Sequence, residues 1–310
     1  MVLAILCSGQ GKQHPDMFAL TGDSPEAASA FAYAAKLLGA DPRDFVRSES
    51  VAALHRNRAG QLLCTVQALA AAAALRDIVP GRKIVAGYSV GEMAAWCVGG
   101  LLGETETLDL VTRRAEAMDA ATQPGDGLMF VRGLSRADID RLCQRYGAAV
   151  AIVNPGAAFV LGGAGSALRS IADAAREMHA ERIVELPVEV ASHTSRLAAA
   201  SDAFREHLRI TSPTFPAAGV RILSGVDGAP VVSVETGLDK LSAQISQTVE
   251  WASCLQGCIE AGATAFLELG PGQALSRMVG GIWHDIPTRS LEDFRTIQGA
   301  RSWLAHHAVR

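Results

Sequence analysis

The sequence has no apolar run long enough to cross a membrane and no excess of positive charge. A spanning helix needs about 20 consecutive apolar residues. A general nucleic-acid-binding protein carries a basic face, whereas this chain has a formal net charge of −4 and a pI near 6.1. We therefore expect neither a membrane nor a nucleic acid as its partner.

We also expect no leader segment, and the common metal and nucleotide motifs are absent from the sequence. Its first residues, MVLAILCSGQ, contain no basic segment and only a short apolar run, unlike a secretory signal. This predicts a cytoplasmic location, which suits six free cysteines. CxxC, HExxH, a P-loop and a complete GxGxxG are all absent. Cys254 and Cys258 fit two buried small side chains better than metal ligands, so we predict no metal site and no permanently bound cofactor.

Length and composition indicate a globular chain with a sizeable core. It has 310 residues, 49% hydrophobic and 19% charged, which allows one large domain or two unequal ones. Alternating strands and helices predict an α/β domain, α/β-hydrolase-like, with a mostly parallel sheet. Within residues 124–189 the order is instead β-α-β-β-α-β, the ferredoxin-like pattern. We predict a large domain of residues 1–123 and 190–310 with the ferredoxin-like subdomain, 124–189, inserted into it.

The sharpest local feature is the G-x-S-x-G motif Gly87-Tyr88-Ser89-Val90-Gly91. The apolar segment KIVA precedes it and the helical segment GEMAAW follows. This is the order of a nucleophile elbow, which holds a serine on a tight turn at the end of a strand. There the helix N-terminus and the Val90 N–H can stabilise an oxyanion. The alternative is an ordinary strand-to-helix turn with a buried serine.

A nucleophilic serine needs a base, and His193 is the best placed of the eight histidines. It follows the last strand of the predicted subdomain, where the two domains should meet, among small and polar neighbours. A structural histidine remains the alternative, because a base is assigned by geometry. No acid follows Ser89 in the order of a simple Ser–Asp–His hydrolase.

Three other polar segments are candidates of a weaker kind. Gly9-Gln10-Gly11 closes the first strand, and its N–H groups could complete an oxyanion hole or form an ordinary turn. Arg113 and Arg114 are adjacent on a helix and point about 100° apart, so at most one faces a pocket. The other would lie on a solvated face with Glu116. The segment LELGPGQAL lacks the third glycine of a dinucleotide fingerprint and predicts only a strand, a turn and a helix.

In combination these motifs resemble the malonyl-CoA:acyl carrier protein transacylase family. The resemblance covers nearly the whole chain, and its motifs occur in the family's order. They are GQGxQ at 9–13, GxSxGE at 87–92, an arginine 25 residues after the serine, a small-residue-Ser-His segment at 191–193, QxxxxVxW at 244–251 and LELGPG at 267–272. The predicted ferredoxin-like insert also matches the small subdomain of that family.

The resemblance implies a role for each matching residue. Ser89 would carry the acyl group, and His193 would be its base and then the acid for the leaving thiol. A backbone carbonyl, at the position of Gln244, would orient the histidine. Gln10 and Val90 would supply the oxyanion N–H groups. Arg114, rather than Arg113, would pair with the free carboxylate of malonyl.

The substrates implied are malonyl-CoA and the phosphopantetheine-type arm of an acyl carrier protein. Three positions depart from the family pattern: Cys7-Ser8 replaces Phe-Pro, Gln247-Thr248 replaces Asn-Pro, and Tyr88 replaces the elbow histidine. Tyr88 adjoins the pocket and bears on acyl preference. The GYSVGE elbow with its following AAW is most similar to the transacylase (epsilon) subunit of malonate decarboxylase, whose carrier subunit would then be the partner. A transacylase of fatty-acid or polyketide synthesis is the alternative, and a serine thioesterase or other hydrolase is the alternative of another class.

Overall fold

The computed structural model describes residues 1–307, which contain nine strands and thirteen α-helices. The strands are β1 (Leu3–Cys7), β2 (Lys83–Gly87), β3 (Asp126–Arg132), β4 (Ala149–Asn154), β5 (Ala158–Ala164), β6 (Arg182–Leu186), β7 (Val220–Ile222), β8 (Ala265–Glu268) and β9 (Thr288–Ser290). The helices are α1 (Ala28–Leu38), α2 (Pro42–Ser48), α3 (Val51–His55), α4 (Asn57–Ala74), α5 (Gly91–Val98), α6 (Glu104–Ala121), α7 (Arg136–Tyr146), α8 (Gly165–Glu177), α9 (Ala198–Arg209), α10 (Val234–Ala243), α11 (Trp251–Glu260), α12 (Ala274–Gly280) and α13 (Ile297–His307). Three short 3₁₀ turns, Pro25–Ala27, Ser195–Leu197 and Leu291–Asp293, complete this part of the chain.

The larger sheet is parallel throughout, with its strands in the order β7-β2-β1-β8-β9. Its central strand, β1, is an apolar run with all five residues buried, as expected of a strand covered on both faces. Alternate residues of that run enter different cores: Leu3 and Ile5 pack on one side, and Ala4 and Leu6 on the other. Because every strand runs the same way, the loops after β1, β2 and β8 meet at one edge of the sheet.

The smaller sheet is antiparallel, with its strands in the order β4-β5-β3-β6, and α7 and α8 pack on it. The chain order β3-α7-β4-β5-α8-β6 confirms the predicted β-α-β-β-α-β pattern. Ser135 caps α7, since its side chain accepts a hydrogen bond from the Asp138 N–H. Leu128, Ile152 and Val160 of this sheet share a core with the large sheet. Together the two sheets confirm the α/β class, while the domain limits at 123/124 and 189/190 stay a prediction.

Several elements differ from the sequence-based expectation. The composition of residues Gln61–Arg76 predicts a helix there, whereas α4 spans Asn57–Ala74. The sequence also predicts one helix over Ser195–Leu208, whereas the structure has a 3₁₀ turn there followed by α9. Helices α1 to α3, α10 and α13 and strand β9 were not predicted, because short helices are stabilised mainly by packing that a single sequence does not show. Within residues 1–307 no helix is long and apolar enough to cross a membrane.

Candidate active site

Ser89 lies on the sharp turn between β2 and α5, at the edge where the parallel strands end. Its φ of +56° is in the left-handed region, a conformation that costs about 1–3 kcal/mol outside glycine. The flanking glycines allow the turn to pack closely against neighbouring backbone atoms. A Cβ on Gly87 would lie 2.1 Å from the Glu92 nitrogen, and one on Gly91 would lie 2.1 Å from the Cys7 carbonyl oxygen. Larger side chains are therefore excluded on both sides of Ser89, and the nucleophile-elbow geometry predicted from G-x-S-x-G is present.

His193 meets Ser89 directly, although 104 residues separate them. The Ser89 Oγ lies 2.7 Å from the His193 Nε2, and the His193 Nδ1 lies 2.6 Å from the Gln244 carbonyl oxygen. Since a carbonyl only accepts, Nδ1 carries the proton and Nε2 is free to accept from the serine hydroxyl. Burial and, to a smaller extent, the nearby Arg114 charge lower the pKa of His193 to about 3, against the effect of the Gln244 bond. The imidazole is therefore neutral at physiological pH.

The backbone around His193 holds the ring in place. His193 has a φ of +62°, and its N–H donates to the Ile245 carbonyl at 2.8 Å. Gln244 directly follows α10, so its carbonyl is one of the oxygens left without a partner at a helix end. The C-terminal end of a helix also stabilises nearby positive charge. This acceptor therefore favours the imidazolium that forms when the histidine takes a proton.

The Gly9-Gln10 segment packs against the turn that holds Ser89, and Val90 follows Ser89 in the chain. The Gly9 backbone packs against the elbow, since a Cβ built on Gly9 would lie 2.6 Å from the Tyr88 carbonyl oxygen and 3.4 Å from the Ser89 Cβ. Gln10 follows directly, and its side-chain Nε2 donates to the Asn57 carbonyl at 3.2 Å. Val90 immediately precedes α5, so its N–H lies at the positive end of that helix. Within residues 1–307 the N–H groups of Gln10 and Val90 donate to no protein acceptor.

Arg114 on α6 also belongs to this site and is 1% exposed. Its Nη1 donates to the Gln61 Oε1 at 2.6 Å and its Nη2 to the Gln244 Oε1 at 3.1 Å. No carboxylate in residues 1–307 lies within ion-pair distance of it. Burial lowers the pKa of Arg114 to about 10, and the charge of Glu92 opposes this shift. Arg113 instead pairs at the surface with Glu116 at 3.2 Å, which confirms that only one of the two arginines faces inward.

Gln244 connects the serine, the histidine and the arginine. Besides its carbonyl bond to His193, its side-chain Nε2 donates to the Ser89 carbonyl at 3.1 Å and to the Glu92 Oε2. The Glu92 Oε2 also accepts the Gly225 N–H at 3.0 Å. One glutamine therefore fixes the positions of Ser89, His193 and Arg114 relative to one another.

Tyr88 forms the boundary between the elbow and the small sheet. Its ring packs edge-on against Trp251, with centroids 5.3 Å apart. Burial raises the pKa of Tyr88 to about 12, and the nearby Asn154 side chain opposes this shift. Asn154 is the last residue of β4, so the tyrosine at the position of the family's histidine contacts both parts of the fold.

Gln61 and Asn154 were not predicted as parts of the site, and neither were the buried contacts of Glu92. For Gln61 and Glu92 the sequence does indicate burial, since both are polar residues within otherwise apolar helical segments.

The segment LELGPGQAL forms a strand, a turn and a helix as predicted, and its Glu268 accepts hydrogen bonds from Ser8 and from the α12 backbone. Cys254 and Cys258 are both buried in the core. No cluster of three metal-ligating side chains occurs among the residues the structure describes.

A parallel α/β sheet with a serine elbow, a histidine hydrogen-bonded to the serine and a buried guanidinium defines an enzyme that transfers acyl groups. The chain belongs to the acyl transferase domain family, whose model matches residues 5–285.

Among its relatives is the malonyl CoA-acyl carrier protein transacylase of Mycobacterium bovis, 28% identical over 94% of this chain and 96% of that protein. The transacylase of the same name from Haemophilus influenzae is 26% identical over 97% of this chain and 98% of that protein. The crystal structure of acyl-carrier-protein S-malonyltransferase from Burkholderia pseudomallei has a TM-score of 0.90 at 26% identity, covering 97% of this chain and 100% of that one. These similarities confirm the family resemblance and the α/β fold.

Proposed function

We propose that this protein transfers a malonyl group from malonyl-CoA to the arm thiol of an acyl carrier protein through a malonyl-Ser89 intermediate. The observation that carries the proposal is the buried Arg114, which has no anionic ion-pair partner among residues 1–307 and shares Gln244 with the Ser89–His193 pair. A buried guanidinium without a direct ion pair favours a substrate anion in contact with it. The substrate therefore carries a carboxylate a short distance from its reactive carbonyl, as malonyl does.

The hydrogen bonds around Ser89 give each residue a step in this reaction. The Ser89 Oγ attacks the thioester carbonyl while its proton passes to the His193 Nε2. The N–H groups of Gln10 and Val90 stabilise the oxyanion of the tetrahedral intermediate, each worth about 10²–10³-fold in rate. The intermediate then collapses, the C–S bond breaks, and His193 returns the proton to the leaving CoA sulfur. The second half runs in reverse, with the carrier thiol giving its proton to His193 and displacing Ser89.

Arg114 supplies the selection of the acyl group. A carboxylate bound by a guanidinium makes a charged hydrogen bond worth about 1.5–3 kcal/mol. An acetyl group would leave Arg114 buried without an anion. The site would therefore discriminate against acetyl more strongly than the loss of a methylene alone would explain.

The acceptor is the point on which the two transacylase interpretations differ. The elbow sequence GYSVGE favours the transacylase component of malonate decarboxylase. The named relatives from M. bovis and H. influenzae, which align over nearly their whole length, are acyl carrier protein transacylases. They favour the alternative, a transacylase of fatty-acid or polyketide synthesis, and we propose that activity as the principal function.

Release of CoA from malonyl-CoA, followed with and without carriers, tests this function. We expect one equivalent of CoA per enzyme without a carrier, and continuous release with an acyl carrier protein bearing phosphopantetheine. The apo form of that carrier is the matched control and should support no turnover. A second carrier, bearing the longer phosphoribosyl-dephospho-CoA arm, distinguishes the malonate decarboxylase role. Continuous release without any carrier would contradict the proposal and indicate a hydrolase.

A further inference from the structure

Glu92 is a buried carboxyl group whose two oxygens have very different surroundings. Its Oε2 accepts two hydrogen bonds, from the Gly225 N–H at 3.0 Å and from the Gln244 Nε2. Its Oε1 is buried as well and has no hydrogen-bond partner in residues 1–307. A proton placed on Oε1 would leave both bonds to Oε2 intact. The geometry therefore accommodates the neutral acid as well as the carboxylate.

The Gln244 carboxamide lies between Glu92 and Arg114 and is oriented by both. Its Oε1 faces the guanidinium and its Nε2 faces the carboxyl group. This arrangement points the negative end of the amide dipole at the cation and its positive end at Glu92. The Glu92 carboxyl group and the Arg114 guanidinium are therefore coupled electrostatically through the Gln244 side chain.

Three titratable groups interact with Glu92 from the elements packed around it: Arg114 on α6, Asp227 in the loop before α10, and Cys254 on α11. A fourth, His193, is linked to Glu92 through Gln244. His193 is neutral, since its pKa lies near 3. Burial raises the pKa of the Cys254 thiol well above its ordinary value, so this group is neutral too. Asp227 is paired with the Lys240 Nζ at 2.6 Å. Arg114 is therefore the one positively charged group among them, and its charge opposes the rise that burial causes in the pKa of Glu92.

We propose that Glu92 is a positioning residue. Without substrate it balances the charge of Arg114, and it becomes the neutral acid when a malonyl carboxylate pairs with Arg114. This inference rests on the proposed function, because it requires a substrate anion at Arg114. Two carboxylates and one guanidinium in a buried site carry one negative charge too many. Proton uptake by Glu92 removes that excess without breaking the contacts that hold Gln244.

The ionisation of Glu92 supports the same conclusion. Burial raises its pKa to about 7, against the hydrogen bonds from Gly225 and Gln244 and the charge of Arg114. Below this pH the acid is already neutral and Arg114 is free for the substrate. Above it, malonyl binding must take up a proton, so the affinity falls as the pH rises. By linkage the decrease amounts to at most about tenfold between pH 6 and pH 8.

The test is the pH dependence of the KM for malonyl-CoA in wild type and in Glu92→Gln. Glutamine keeps an oxygen for Gly225 and Gln244 but has no proton to exchange. We expect the KM of wild type to rise up to about tenfold between pH 6 and pH 8, and that of Glu92→Gln to stay at the low-pH value. Inhibition by CoA is the control, because CoA carries the same phosphates and arm but no malonyl carboxylate. Its inhibition constant should change equally in both proteins.

Glu268→Gln serves as the matched variant. Glu268 is also buried and hydrogen-bonded to backbone N–H groups, but Arg114 is not among the groups that shift its pKa. We expect this variant to be less stable and to keep the wild-type pH dependence.

The outcomes separate the inference from the function on which it rests. If wild type forms the malonyl adduct on Ser89 but its KM does not rise with pH relative to CoA inhibition, the inference is wrong and the function stands. The same holds if Glu92→Gln keeps the wild-type dependence. The wild-type profile alone decides the question if Glu92→Gln does not fold. If wild type forms no adduct, both the function and the inference are wrong.

Discussion

The core of the small antiparallel sheet contains Ile139 and Leu161 among other apolar side chains, whereas the edge of the large sheet buries Glu92, Arg114 and His193. Ion pairs on α7 and α8 lie at the surface, where such pairs contribute about 0–1 kcal/mol. At the sheet edge the charged groups are out of water, so each must be matched by hydrogen bonds or by a ligand. The small sheet therefore buries apolar side chains, whereas the large sheet's edge buries the polar groups of the candidate active site.

The backbone shows the same contrast. Two of the four non-glycine residues with positive φ in residues 1–307 are Ser89 and His193, which meet each other at the large sheet's edge. Strain of this kind persists where the surroundings over-determine the conformation. Here Gly87 and Gly91 provide the space, and the bonds from His193 to Gln244 and Ile245 fix the second residue.

The largest effect on stability should come from the small sheet. Leu161→Ala removes a fully buried side chain from its core, and we expect a loss of about 2–5 kcal/mol in the free energy of unfolding. Urea denaturation measures this loss. At a temperature where the variant is folded, the preference for malonyl over acetyl should be unchanged. A change in that preference would show that the small sheet also shapes the site.

Arg114→Ala should change the preference for malonyl over acetyl, which Leu161→Ala leaves unchanged. Removing the charged hydrogen bond, worth about 1.5–3 kcal/mol, should lower kcat/KM for malonyl loading by roughly 10- to 150-fold, with a smaller decrease for acetyl loading. Arg113→Ala is the matched control, because this neighbour is exposed and paired with Glu116. Equal losses for both acyl groups would show that Arg114 is structural.

Much of this contrast was predictable from the sequence. The helices of the small sheet follow clear apolar periodicity, and Ser135 is a good N-cap residue, so the β-α-β-β-α-β order could be derived from local pattern. The elbow was equally local, since Gly87, Ser89 and Gly91 lie within five residues. The assignment of Arg114 over Arg113 came from the family resemblance, because periodicity shows only that the two point in different directions.

The contacts that complete the site could not be derived in this way. Gln61 lies 53 residues from Arg114, and Gln244 lies 152 residues from Glu92. Such pairs are brought together by the parallel sheet and by α4, α6 and α10, which share one hydrophobic core with it. Local sequence patterns do not show which residues so far apart in the chain come into contact. The unpaired Glu92 Oε1 is therefore visible only in three dimensions.

The mass of the peptide that contains Ser89, after brief incubation with malonyl-CoA and acid quench, tests the proposed chemistry most directly. We expect a malonyl adduct on this peptide in wild type, no adduct in Ser89→Ala, and loss of the adduct when a carrier with its phosphopantetheine arm is added. An unmodified Ser89 peptide in active wild-type enzyme, or an adduct on another residue, would contradict the assignment of Ser89 as the residue that carries the acyl group.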